Sequence, residues 1–233
     1  MPTGSFTTPH GARIELHYRA DTSDWNTLWS CLNEDEYGLR DRRFSGVAFD
    51  IGAHIGGVAV GLAVDNPGLL VVAVEPIPAN QRLISRNAHD NGVEVEMVCG
   101  AVGAPGERQT KLYHNFRGSE IAEHHAFIGS TENGGNDDNW RQASEHDTTP
   151  VAAFSYSNLA ALYGRPSVIK IDCEGGEYPF LSDPAVANVP LLIGEWHNAG
   201  GRTRDDLAAL LPAHDVTFSG PVEGPGGFVA VRR

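Results

Sequence analysis

Residues 47–57 read VAFDIGAHIGG, and this stretch decides the fold. An apolar run at 47–49 leads into a glycine-containing turn, and residues 58–64 continue as an apolar stretch typical of a helix. Glycines at the end of a buried strand let the backbone turn tightly and approach a ligand at the carboxyl end of a sheet. The stretch therefore predicts a strand, a tight turn and a helix beside a ligand site.

The same alternation continues along the chain. Further apolar runs at 69–74, 168–172 and 191–195 are separated by helical stretches such as 79–89. Runs that are apolar on both faces predict parallel strands covered by helices on each side. The sequence thus predicts one doubly wound α/β domain over residues 47–233.

Local turn and capping signals add detail to this domain. Residues 100–113 predict a hairpin, and the segments 215–219 and 228–231 predict a closing hairpin at the end of the chain. Ser157 is the predicted cap of one helix, and Thr203 with Asp206 forms a predicted capping box for another.

Residues 1–46 predict a small strand and helix extension packed on the domain. Residues 13–18 alternate in polarity, as half-buried strands do. A helical stripe that contains Trp25 and Trp29 follows, and its spacing favours core packing over a ligand-binding aromatic box.

Residues 114–149 form a polar insertion with little aliphatic periodicity and four of the ten histidines. Long polar segments inside compact domains are usually functional or disordered. The insertion predicts a lid-like loop over the substrate, with an unstructured surface segment as the alternative.

The composition excludes several classes of protein. With 17 basic and 30 acidic residues, the net charge of −13 makes nucleic acid a poor partner. No stretch is long and apolar enough for a membrane helix, and residues 1–10 lack a secretory pattern. Three cysteines without CxxC spacing suit a reducing compartment, so we expect a cytoplasmic protein. Homo-oligomerisation is compatible with the sequence.

Two acidic residues indicate the type of ligand. Asp50 and Ile55 stand where the dinucleotide fingerprint GxGxxG has its first and third glycines, so that fingerprint fails. An acidic first position suits a cationic or hydroxyl-bearing ligand. Glu75 follows at the tip of the next predicted strand, about where an acid commonly binds the ribose hydroxyls of an adenosine cofactor.

Three blocks carry a resemblance to a known family. They are VAFDIGAHIG at 47–56, VAVEP at 72–76 and IKIDCEGGE at 169–177. In order and spacing, residues 47–198 resemble the FkbM-type S-adenosylmethionine-dependent methyltransferases. The resemblance implies a Rossmann-like, mostly parallel seven-stranded class I methyltransferase sheet. It also implies S-adenosylmethionine as the cofactor and O-methylation of a hydroxyl group on a natural product or sugar.

The resemblance also implies a set of cofactor-binding residues. Asp50, Gly52 and Gly56 would shape the methionine pocket, and Glu75 would hold the ribose. The family usually has asparagine where His54 stands, and both residues tolerate a left-handed backbone. The full expected set is Asp50, Gly52, Ala53, His54, Gly56, Glu75, Pro76 and Asp172.

The catalytic residues are expected at the ends of two later strands. Sheet topology places Asp172 beside the first strand end, facing the cofactor's methyl group, and places Glu195 and His197 next to it. In one mechanism His197 is a general base oriented by a carboxylate. In the other, Asp172 and Glu195 hold a divalent cation, magnesium or manganese, which lowers the pKa of the acceptor hydroxyl. The sequence alone favours the metal-free base, because it does not reveal a complete ligand set.

The main alternative is a non-catalytic protein on the same fold that binds an adenosyl ligand or acts as an interaction protein, since a fold does not dictate a function. The carboxylates at the strand ends would then be solvated surface charges.

Overall fold

The computed structural model describes residues 1–113, 127–128 and 148–233. Its strands are β1 (Thr3–Thr7), β2 (Arg13–His17), β3 (Val47–Ile51), β4 (Leu70–Glu75), β5 (Glu96–Cys99), β6 (Ala101–Val102), β7 (Gln109–Tyr113), β8 (Phe127–Ile128), β9 (Thr148–Phe154), β10 (Val168–Ile171), β11 (Leu191–Trp196), β12 (His214–Phe218) and β13 (Gly226–Arg232). Its α-helices are α1 (Asp24–Leu28), α2 (Gly57–Asp65), α3 (Pro78–Asp90), α4 (Tyr156–Tyr163), α5 (Glu177–Leu181) and α6 (Arg204–Ala209).

A central seven-stranded sheet has the order β12-β13-β11-β10-β3-β4-β5. The five strands from β11 to β5 run parallel, and β13 is antiparallel to both β11 and β12. The order reverses between β3 and β10, so the carboxyl ends of these strands flank a topological switch point, where open α/β sheets bind ligands. The predicted doubly wound, seven-stranded methyltransferase-like sheet is confirmed.

Two apolar clusters cover the faces of this sheet. One joins α2 and α3 to the N-terminal extension, whose Phe6, Leu16 and Leu28 are almost fully buried. The other packs α4, α5 and α6 on the opposite face. Strands that are apolar on both sides fit this three-layer arrangement.

The two tryptophans of the N-terminal extension depart from the prediction of core packing. Trp25 and Trp29 are 37% and 41% exposed, and Trp25 packs its ring on Phe6. Leu28, which belongs to the same predicted stripe, is buried as expected, and Asp24 is buried beside it. The buried Asp24 is paired with Arg19, whose Nε lies 2.8 Å from its carboxylate.

A second sheet, of order β6-β9-β7-β8, lies beside the central one. The predicted hairpin at 100–113 is wrong, because β9 lies between β6 and β7, parallel to the first and antiparallel to the second. The closing hairpin of the chain is confirmed as β12 and β13. The predicted lid at 114–149 lies outside the described residues, apart from 127–128 and 148–149.

Helix caps agree with the sequence at one of two positions. The capping box of Thr203 and Asp206 is confirmed at the start of α6. Helix α4 begins earlier than predicted, because Ser155, not Ser157, forms a capping box with Asn158. None of the helices in the described ranges is long and apolar enough to cross a membrane.

The switch point requires a glycine where β3 ends. Gly52 has a φ of +72°, and a Cβ atom there would overlap the backbone carbonyl oxygen of Asp172. Gly68 has a similar φ of +88° but open space around it. Substitutions at the two glycines therefore distinguish the cost of backbone strain from the cost of steric overlap.

We expect Gly68→Ala to lower the free energy of unfolding by about 1–2 kcal/mol through backbone strain alone. Gly52→Ala should lose about 3 kcal/mol or more, because the overlap with Asp172 adds to the strain. Urea denaturation of both variants measures the difference. Equal losses would contradict the close approach of β3 and β10.

Candidate active site

A cleft opens at the carboxyl ends of β3, β4 and β10. Its walls come from the segments that follow these strands and from α1, with further residues after β5. The lining residues are Ser23, Thr27, Ile51, Gly52, His54, Val74, Glu75, Pro76, Ile77, Asn80, Gly100, Ala101, Val102, Asp172, Cys173 and Glu174.

Glu75 lies in the cleft wall with its carboxylate held in place. Its Oε2 accepts from the backbone N–H of His54 at 2.8 Å, and its Oε1 accepts from the backbone N–H of Ile77 at 2.9 Å and from Asn80 Nδ2 at 3.2 Å. Burial raises the pKa of Glu75. Among the described residues, the buried Oδ1 of Asn80 has no hydrogen-bond partner. Glu75 and Asn80 thus line the cleft with side chains whose oxygens are hydrogen-bond acceptors, the type of group that a ligand with hydroxyl groups needs.

Asp50 lies beneath the cleft, where it is fully buried and absent from the lining. Its Oδ1 is 3.2 Å from Lys170 Nζ, which also donates to the backbone carbonyl of Gly52 at 2.8 Å. Burial raises the pKa of Asp50. The sequence led us to expect Asp50 at the ligand, and the structure instead gives it a partner within the sheet.

Two other predicted loop residues, Ala53 and Gly56, also lie behind the cleft wall. Gly56 has a φ of +90° and precedes α2, which packs against α3 at Ile84. Gly52, His54, Glu75, Pro76 and Asp172 do line the cleft, as the motif predicts.

His54 adopts a left-handed backbone, with a φ of +52°. Its Nε2 lies 3.1 Å from Asp24 Oδ1, and Asp24 is fully buried and paired with Arg19. The sequence analysis missed this contact between the N-terminal extension and the glycine-rich loop. Nothing in the local sequence around His54 indicates a partner 30 positions upstream.

A second group of residues, which we call the acidic cluster, surrounds His197 next to the cleft. His197 Nδ1 donates to Glu177 Oε1 at 3.0 Å. On the other side of the ring, Nε2 lies 3.4 Å from Glu174, 3.7 Å from Glu195 and 3.8 Å from Asp172. The acidic cluster is therefore His197 with Asp172, Glu174, Glu177 and Glu195.

Hydrogen bonds to neighbouring groups hold two carboxylates of the acidic cluster, Glu177 and Asp172, in place. Glu177 is fully buried and accepts backbone N–H groups of Cys173 and Gly175, each at 2.9 Å, so it also holds the turn after β10. The hydroxyl of Tyr37 donates to Asp172 Oδ2 at 2.9 Å. Tyr37, like Asp24, belongs to the N-terminal extension. The sequence did not predict its contact with the site.

Burial and the charges in the acidic cluster change the pKa values of its side chains. Burial opposes the charge on His197, but Glu177 and the other carboxylates outweigh it and raise the pKa of His197 to about 10. Burial and the nearby Asp172 raise the pKa of Glu195 to about 7. Burial also raises the pKa of Glu36, a neighbour of Glu195. At neutral pH this region holds more carboxylates than cations.

Residues 50–215 match the family model described as the FkbM methyltransferase domain. The match covers more than half of the chain, so the chain belongs to the FkbM methyltransferase family. This is a family of S-adenosylmethionine-dependent methyltransferases, which confirms the family predicted from the sequence. A search of curated protein sequences finds no match.

Solved structures similar to the chain include several methyltransferases. The C-terminal domain of precorrin-6Y C5,15-methyltransferase from Rhodobacter capsulatus is 14% identical, with 94% of each chain covered and a TM-score of 0.47. A putative O-methyltransferase from Klebsiella pneumoniae is 13% identical, with 93% of this chain and 82% of that chain covered and a TM-score of 0.44.

The buried pair of Asp50 and Lys170 generates a prediction about stability. Removing one partner of a buried ion pair leaves the other charge uncompensated, which costs about 3–5 kcal/mol. We expect that loss for Lys170→Met in urea denaturation. The double variant with Asp50→Asn should lose less than the two single variants together.

Lys111→Met is the matched control, because Lys111 is exposed and surface changes usually alter stability by less than about 0.5 kcal/mol. Equal stability of the Lys170→Met and Lys111→Met variants would contradict the role of the pair.

Proposed function

We propose that the chain transfers a methyl group from S-adenosylmethionine to a hydroxyl oxygen of a small molecule. The observation that carries this proposal is the charge of the cleft. Glu75, Asp172 and Glu174 line it, and the lining contains no lysine or arginine among the residues that the structure describes. Such a cleft attracts a sulfonium cation and repels the pyrophosphate of a dinucleotide.

In this proposal, different residues of the cleft bind different parts of the cofactor. Glu75 and the Oδ1 of Asn80 accept from the ribose hydroxyls, and Gly52, His54 and Pro76 form the adjoining wall. Asp172 lies toward the methionine end and the reacting carbon. Asp50 acts through Lys170, and Ala53 and Gly56 shape the loop from behind. The cofactor supplies an electrophilic methyl group.

The acceptor hydroxyl must lose its proton during the transfer, and the acidic cluster lies beside the cleft to accept it. His197 is a poor base in the metal-free cluster, because its raised pKa of about 10 keeps it protonated at neutral pH. The raised pKa therefore favours the second mechanism predicted from the sequence, in which a divalent cation lowers the pKa of the hydroxyl.

Three distances support a cation site. The oxygens of Glu174, Glu195 and Asp172 lie 3.4–3.8 Å from His197 Nε2, longer than charged hydrogen bonds. Asp172, Glu177 and His197 bring ligand atoms within 4.8 Å of one another, as binding to one ion requires, whereas Glu174 and Glu195 lie outside this group. The Nδ1 atom donates to Glu177, as metal-bound histidines commonly donate to a carboxylate. Oxygen ligands favour magnesium, and the imidazole shifts the preference toward manganese.

The remaining features support a small acceptor inside a cell. A net charge of −13 and the acidic cluster disfavour a nucleic-acid substrate. The three cysteines are free thiols, as expected in the cytoplasm. A hydroxylated natural product or sugar fits these conditions. Transfer of labelled methyl from S-adenosylmethionine to a panel of such hydroxylated molecules tests the function directly. Cofactor binding without transfer to any of them would support the non-catalytic alternative.

We expect Glu75→Ala to weaken S-adenosylmethionine binding at least about tenfold while the fold persists, because it removes charge-assisted hydrogen bonds to the ribose. Calorimetric titration of the folded variant measures this. Glu96→Ala, which changes an exposed carboxylate on the neighbouring strand β5, should bind as the wild type does. Unchanged affinity in Glu75→Ala would reject the assignment of the ribose site.

The cation proposal predicts Mn²⁺ binding that depends on His197. His197→Ala should weaken Mn²⁺ binding at least about tenfold in calorimetry, while His89→Ala, at an exposed histidine, should not. Chelator should abolish methyl transfer, and one divalent ion should restore it. Activity that resists chelator would reject the cation, and full activity in His197→Ala would reject both roles for this residue.

The pH dependence of Mn²⁺ binding follows from the same cluster. Because the carboxylates raise the pKa of His197 to about 10, the ion must displace a proton from Nε2 at neutral pH. Affinity should therefore increase as the pH rises from 6 to 9. A pH-independent affinity over about that range would show that the ion does not bind His197.

A further inference from the structure

We propose that residues 19–27 of the N-terminal extension form one wall of the cofactor site, and that Asp24 is a positioning residue for His54. This inference rests on the proposed binding of S-adenosylmethionine. The segment lies outside the matched family domain, which begins at residue 50.

Two side chains of this segment line the cleft directly. Ser23 is the N-cap of α1 and Thr27 lies one turn later in the helix, and both line the cleft. Helix α1 is held against the domain by the buried Leu28. The cleft is therefore built from the extension as well as from the α/β domain.

Asp24, between these two residues, connects the wall to the glycine-rich loop. Its carboxylate accepts three N–H groups of Arg19, from the backbone N, Nε and Nη2, each at 2.8 Å. The same carboxylate lies 3.1 Å from His54 Nε2. Burial opposes ionisation of Asp24, but the hydrogen bonds from His54 and Arg19 outweigh it and lower its pKa. Asp24 thus remains a carboxylate that can hold the imidazole ring.

His54 in turn contacts Glu75, the carboxylate proposed to bind the ribose. The backbone N–H of His54 donates to Glu75 Oε2 at 2.8 Å, and its φ of +52° lies in the left-handed region, which histidine tolerates better than most residues. The ring end is fixed by Asp24 and the backbone end by Glu75. A continuous path of polar contacts therefore runs from Arg19 through Asp24 and His54 to Glu75.

The consequence is a contribution of the extension to cofactor affinity. When the imidazole loses its partner, the loop at His54 gains freedom that cofactor binding must remove again. The N–H donor that orients Glu75 becomes less well placed. Asp24 acts on the cofactor through His54 and Glu75, without being a member of the cleft lining itself.

The test is calorimetric titration of the full chain with S-adenosylhomocysteine. Asp24→Asn and His54→Asn should each raise the dissociation constant about tenfold, since the first removes the charge from this contact and the second removes the imidazole that makes it. Asparagine tolerates the left-handed backbone, so His54→Asn removes the reach to Asp24 without adding strain. The double variant should lose no more than either single variant, because both break the same contact.

Asp65→Asn is the matched control. Asp65 also ties the extension to the domain, accepting from the Thr8 hydroxyl at 2.6 Å and from the His10 backbone N–H at 3.1 Å, but it lies outside the cleft lining. This variant should lower the melting temperature and leave the dissociation constant unchanged. The comparison separates positioning of His54 from general anchoring of the extension.

Three results would overturn the inference. They are wild-type affinity in folded His54→Asn, an additive loss in the double variant, and an equal loss of affinity in Asp65→Asn. If Asp24→Asn fails to fold, His54→Asn and the control still decide the question. A wild-type chain that does not bind S-adenosylhomocysteine would overturn the proposed function together with this inference.

Discussion

The architecture of the site depends on the contacts that the buried ammonium group of Lys170 makes with Asp50 and Gly52. The ammonium group lies within the central sheet, 3.2 Å from Asp50, and donates to the carbonyl of Gly52 at 2.8 Å. It also lies 5.4 Å from the centre of the Tyr37 ring. Burial would lower the pKa of Lys170, but the charges of Asp50 and Asp172 outweigh it and raise that pKa. One cation thus joins the ends of β3 and β10 to the N-terminal extension.

Asp172 connects the two parts of the site that this arrangement creates. It lines the cleft, and its Oδ1 lies 3.8 Å from His197 in the acidic cluster. Burial would raise the pKa of Asp172, but Lys170 and His197 outweigh burial and lower it. An ionised carboxylate between the two parts can face a sulfonium cation on one side and a proton or metal ion on the other. The site therefore places methyl transfer and proton removal next to each other.

The sequence predicted the sheet and the strand-end residues because both follow from local patterns. Apolar runs fix the parallel strands, and the acids at Glu75 and Asp172 follow such runs directly. Strand order then brings Asp172 and His197 to one edge, as the structure finds. The partner of Asp50 was missed, although Lys170 stands in an apolar run where a buried charge signals a partner.

The contributions of the extension could not be predicted in the same way. The bond from Tyr37 to Asp172 joins residues 135 positions apart, and the contact of Asp24 with His54 depends on how α1 is rotated against the domain. The apolar stripe of a helix indicates which face is apolar. It does not indicate that a charged residue on that helix, such as Asp24, is buried with an ion-pair partner. Nor does it indicate that Trp25 and Trp29 stay partly exposed.

The most direct test of this account is a calorimetric comparison of S-adenosylhomocysteine and NAD with the wild-type chain. Glu75 predicts binding of S-adenosylhomocysteine through its ribose, and the charge of the cleft, with Glu75, Asp172 and Glu174 and no basic side chain in its described lining, predicts no binding of NAD. Binding of NAD without binding of S-adenosylhomocysteine would contradict the account, because the cleft would then hold a pyrophosphate against three carboxylates.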